Sequence, residues 1–127
     1  MFRVTSLAAL VLLAAAPLSN ALAASLSKTV SAGRASQIDA YSGWNLEDCS
    51  FQTISFTTTS PPAHGRITTR IGHGRITNAN TGSAGKCYGK PTKVLQLWYT
   101  PQRGYHGSDT VSVTAGGTAY YYSITVQ

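Results

Sequence analysis

Three histidines (His64, His73 and His106) and four carboxylates (Asp39, Glu47, Asp48 and Asp109) make up the acid–base inventory of this 127-residue chain. A glycosidase needs two carboxylates facing each other across a cleft, whereas Glu47 and Asp48 are neighbours that would point to opposite faces of a strand. The histidines with Asp109 have the donor types for a transition metal, but no two share a short ligand spacing, and His106 lies in a turn. Ser108 stands beside Asp109, yet a nucleophilic serine needs a base delivered by the fold, and the local sequence supplies none. The expectation is a non-catalytic protein with no cofactor and no metal.

Cys49 and Cys87 carry the remaining reactive chemistry. A redox dithiol takes the form Cys-x-x-Cys, and a thiolate metal site wants a His or Cys partner close to each ligand. Neither pattern is present. An even pair in an oxidising compartment reads as a disulfide, worth about 4 kcal/mol for a loop of this length in the chain-entropy model.

Ten Lys and Arg against four acids give a formal charge of +6. That balance favours anionic surroundings such as envelope polymers, lipid headgroups or nucleic acid; basicity for solubility alone is the plainer reading, since the cations form no single run. His64-Gly65-Arg66-Ile67-Thr68 recurs as His73-Gly74-Arg75-Ile76-Thr77. Two copies are too few for a solenoid and suggest the arms of a hairpin, or a strand and its return. Such arms would present His64, Arg66, Arg70, His73 and Arg75 as a cationic stripe, or simply discourage edge-to-edge association. The segment from Asn78 to Lys93 reads as a polar loop. Its Lys86, Tyr88, Lys90 and Lys93 form a small basic cluster that either grips an anion or is plain solvated surface. Tyr41, Trp44, Tyr88 and Trp98 are candidate aromatic anchors, with core the default place for the tryptophans.

The elements that must position these residues are strands. Ile54 and Phe56 share a face; so do Ile67, Thr69 and Ile71; Leu95, Leu97 and Tyr99; Val111, Val113 and Ala115; and Tyr120, Tyr122, Ile124 and Val126. Each run is short and bounded by Gly, Pro, Ser or Asn, the all-β pattern. Leu26 to Tyr41 supplies one or two more strands around Ser31-Ala32-Gly33, and Gly116-Gly117 reads as a hairpin turn. Before them, Arg3 precedes an apolar run from Leu7 to Pro17, too short to cross a bilayer. Small residues at Ala21 and Ala23 suit a signal peptidase. The reading is a signal peptide over 1–23, cut after Ala23, and a single domain over 24–127, periplasmic or secreted and monomeric, with no transmembrane segment.

Pro61-Pro62-Ala63-His64-Gly65, Tyr99-Thr100-Pro101 and Gly104-Tyr105-x-Gly107-x-Asp109 together resemble segments of bacterial immunoglobulin-like and cadherin-like domains of exported proteins, over roughly residues 48–127. The resemblance implies an all-β, immunoglobulin-like β-sandwich of about seven antiparallel strands with one disulfide, a small stand-alone version of that domain. Pro101, Gly104, Gly107 and Asp109 would then build a structural corner: Pro101 setting the turn, the glycines allowing unusual backbone angles, and Asp109 accepting hydrogen bonds from the loop it closes. The acidic repeats with which cadherin domains bind calcium are absent. Since this sandwich hosts many functions, two expectations stand. One is a binding module of the cell envelope contacting an anionic envelope polymer. The other is a protein-interaction or inhibitor domain meeting another envelope protein by loops or an exposed strand edge.

Overall fold

The computed structural model describes residues 25–77 and 82–127. The signal peptide read over 1–23, with its cut after Ala23, lies outside the described residues, as does the stretch 78–81 of the polar loop. Seven strands form two packed sheets: β1 (Ser25–Val30), β2 (Ser36–Tyr41), β3 (Phe56–Ser60), β4 (Gly65–Arg75), β5 (Pro91–Pro101), β6 (Gly107–Ala115) and β7 (Thr118–Val126). A 3-10 turn, Gly82–Cys87, precedes β5. One sheet has the order β1-β7-β6-β3 and the other β2-β5-β4. Among the described residues no helix is long and apolar enough to cross a membrane.

The sandwich and its disulfide are as the sequence leads one to expect, with one difference in direction. β1 runs parallel to β7, while every other pair is antiparallel. The cause lies at Ser31–Gly33. Gly33 takes φ 77°, and the turn carries the chain from one sheet to the other instead of folding β2 back on β1. Ala32 N donates to Gln127 O and Gln127 N to Val30 O, locking that crossing to the end of β7.

Period-two alternation puts Leu97 and Tyr99 of β5, Val111, Val113 and Ala115 of β6, and Tyr122, Ile124 and Val126 of β7 into the core. Val30, Ile38 and Tyr41 complete it, Ile38 by way of a bulge between Gln37 and Asp39. Each such side chain, moved out of water, stabilises the fold by roughly 1.5–3 kcal/mol. Phenol oxygens come with the tyrosines. Tyr122 donates its hydroxyl proton to Asp39 Oδ2 at 2.5 Å, which leaves its oxygen to accept from Tyr41 at 2.5 Å, so neither buried hydroxyl is orphaned. Gly116 and Gly117 have φ of 57° and 82°, the two left-handed positions of a tight hairpin turn between β6 and β7.

β4 overturns the hairpin reading of the repeat. Gly65–Thr68 of the first copy and His73–Arg75 of the second lie along one continuous strand, which among the described residues pairs only with β5, from Gly65 opposite Pro101 to Arg75 opposite Pro91. Gly72 and Gly74 sit in regular ladder positions. The polar loop is likewise shorter than read. β5 begins at Pro91, a strand-opening position that suits a residue without an N–H, so Lys93 belongs to the strand, across from His73.

Candidate functional site

Asp109 is buried on β6 and faces the start of β4. It accepts from Ala63 N and His64 N at 3.0 Å each, from Tyr99 Oη at 2.7 Å, and from Thr110 N at 2.9 Å. Burial alone would raise its pKa. The Tyr99 hydroxyl and the His64, Ala63 and Thr110 amides outweigh that and hold it below the ordinary carboxylate range. The corner read at Pro101, Gly104, Gly107 and Asp109 is therefore differently wired. Gly104 and Gly107 do adopt positive φ, at 77° and 135°, and Tyr105 N closes the turn on Gln102 O. Asp109, however, ties down the Pro61–His64 entry to β4 rather than its own loop, and Pro101 is the last residue of β5. His64 stacks flat on Tyr105 at 4.2 Å and 7°, and its carbonyl accepts from Gln102 N, so it joins this corner and not a stripe. Ser108 is exposed while the next residue points inward, so the two do not form a reactive pair. Glu47 and Asp48 lie in a turn rather than on a strand, where Asp48 accepts from Ser50 N and Oγ.

The remaining cations fall into two groups. The repeat has an odd step, so Arg66 and Arg75 face opposite sides of β4, ~30 Å apart at about 3.3 Å per residue. Arg66 and Arg70 lie on the outer face of the β2-β5-β4 sheet, where Arg70 sits 4.2 Å over the Trp98 ring. The indole N–H of Trp98 donates to Gln96 Oε1 at 3.0 Å. Trp98 is thus a half-buried outer-face residue and not core, since its neighbours Leu97 and Tyr99 take the inner positions. Trp44 is half-buried too, bridged to Phe51, and its indole nitrogen is buried without a hydrogen-bond partner.

The second group surrounds the disulfide. Cys49 and Cys87 are bonded with Cα atoms 5.4 Å apart, joining the β2–β3 connection to the 3-10 turn, loop to loop rather than loop to strand. Cys49 takes φ 61°, held there by its N–H on Asn45 O as well as by the bond. Arg75 donates to Gly89 O at 2.9 Å and Lys86 to Glu47 O at 2.5 Å, with Tyr88 and Lys90 exposed beside them. Among the described residues no three His, Cys, Asp or Glu side chains gather as a metal set.

Two recesses open beside this end. One, of about 670 Å³, lies between Tyr41–Gly43, Gln52–Ser55 and the β6–β7 turn, and its lining carries no charged side chain. The other, of about 300 Å³, is lined by Phe51, Thr53, Ile54, Ile71, Lys93 and Leu95. The Tyr41–Tyr122–Asp39 chain and the Ile71–Lys93 recess are absent from the sequence reading, because both depend on which strands become neighbours. No family model and no curated protein matches the chain.

Proposed function

We propose that this is an exported, non-catalytic binding module of the bacterial cell envelope, akin to the immunoglobulin-like and cadherin-like domains, that holds an anionic envelope polymer along β4 and the disulfide end. The observation that carries the reading is how the charges are used. Asp39, Asp48 and Asp109 accept their hydrogen bonds from tyrosine, serine and backbone donors. Among the described residues Arg75 and Lys86 donate to the neutral backbone oxygens of Gly89 and Glu47, and Arg70 rests on an indole. The cationic excess is therefore left for an external anion. A loop-pinning disulfide fits an oxidising compartment.

Co-sedimentation of the oxidised protein with isolated sacculi and with outer-membrane lipid, at low and high salt, tests it. Retention that falls steeply with ionic strength, and that drops when Arg66 and Arg70 or Lys86 and Lys90 become Ala, supports the reading. Absence of retention at low salt overturns it. A second reading rests on the edge of β4, whose eleven residues pair on one side only among the described residues. An extended protein segment adding there would give salt-insensitive binding that maps by crosslinking to β4.

A further inference from the structure

Along the inner face of β4 and β5 burial falls away towards the disulfide end, from the fully buried Leu97 to the exposed Ile71, His73 and Lys93, and the register fixes what that surface carries. Leu97 opposite Thr69 belongs to the core side. The next inward pair along the ladder is Ile71 with Leu95, then His73 with Lys93. An apolar pair and a His–Lys pair therefore succeed each other on one face. Phe51 and Ile54, from the disulfide-tethered β2–β3 connection, close over the apolar pair to leave the recess of about 300 Å³, with Lys93 in its wall. Ile71 remains 59 % exposed despite lining it. This is an unfilled apolar slot with positive charge at one end.

We infer that this slot takes the hydrocarbon chain of a single-chain anionic amphiphile, a fatty-acid carboxylate, with its head on Lys93. The lining of the slot selects that chemistry. The slot's polar side chains are Thr53 and Lys93 alone, which match one anionic terminus on an otherwise apolar ligand. Burying Ile71, Leu95, Phe51 and Ile54 against methylenes supplies the affinity, and the cation selects the head group.

Titration of the oxidised protein with dodecanoate, dodecanol and dodecyltrimethylammonium below their micelle concentrations, followed by amide chemical shifts, tests the proposal. Dodecanoate should bind saturably with shifts centred on Phe51–Ile54, Ile71 and Lys93–Leu95, dodecanol roughly fivefold more weakly, and the cationic amphiphile more weakly still. Lys93→Gln should lower dodecanoate affinity roughly fivefold and leave dodecanol unchanged. Ile71→Asp, at an exposed position that leaves the core intact, should abolish both, with the thermal transition preserved as a check on folding. Arg66→Ala with Arg70→Ala should change neither, which separates this slot from polymer binding. Equal affinity for all three amphiphiles, shifts centred elsewhere, or no saturable binding overturns the assignment.

Discussion

Replacing Asp109 with Ala removes the acceptor for three donors on other elements: Ala63 N–H, His64 N–H and the Tyr99 hydroxyl. Hydrogen bonds to a charged group contribute about 1.5–3 kcal/mol each, and a buried donor left without a partner costs a similar amount. Ala63 is exposed and can turn to water, so the full sum is not reached. The expected loss is about 3–4 kcal/mol, which for a domain of this size lowers the melting temperature by roughly 15–25 °C. Asp109→Asn keeps one oxygen and the volume, and should cost about half as much. Asp109 also gives the pH dependence a definite sign. Its folded pKa lies below the ordinary value of 3.8, so its contribution is present above that value and is lost as pH falls towards the folded one. Urea unfolding of wild type, both variants and Tyr99→Phe, from pH 7 down to pH 2, measures all of this. The acid loss of stability should flatten in Asp109→Asn, and Tyr99→Phe should be strongly non-additive with Asp109→Ala. A loss below about 1 kcal/mol, or simple additivity with Tyr99→Phe, would refute the corner as a stabilising centre.

Alkali should unfold the protein sharply. Burial first, then hydrogen bonding to Asp109 and Asp39, raise Tyr99 and Tyr122 above the ordinary phenol value of 10, and burial raises Tyr41 to about 12. Stability present below pH 10 is then lost by up to about 4 kcal/mol per pH unit as the unfolded chain ionises; phenolate absorbance should rise together with loss of circular dichroism. Gly65→Ala should cost about 2–3 kcal/mol by denaturant titration, because its Cβ would fall 2.6 Å from the Tyr99 ring and 2.7 Å from Thr100 O. Gly74→Ala, with Val94 Cγ1 at 3.0 Å as its nearest neighbour, should cost clearly less. Reducing the Cys49–Cys87 bond should remove about 4 kcal/mol, read from the shift in urea midpoint with and without reductant.

Strands whose apolar residues alternate under a covering sheet were legible: β5, β6 and β7 bury the residues their patterns mark, Leu95 and Tyr120 only in part, and Gly116-Gly117 turns where its composition says. Ile71 shows the limit. Its alternation with Ile67 and Thr69 is regular, but the pattern does not tell that Ile71 is left exposed. The repeat misled for a related reason: its two copies read as separate arms, whereas Gly72 between them is a ladder residue that leaves room for the Gln96 side chain. The odd step between copies already separates Arg66 from Arg75 on any single strand, whereas the joining of Lys93 to His73 requires the register. The core tyrosine–aspartate chain spans partners 83 residues apart, a distance over which local pattern carries no information.

The parallel seating of β1 also orders events in time. β7 lies between β1 and β6, so the first strand has no neighbour until the seventh has emerged, whatever the speed of synthesis. Until then Val30 and Val126 stay apart and the edge of β7 that receives β1 is open.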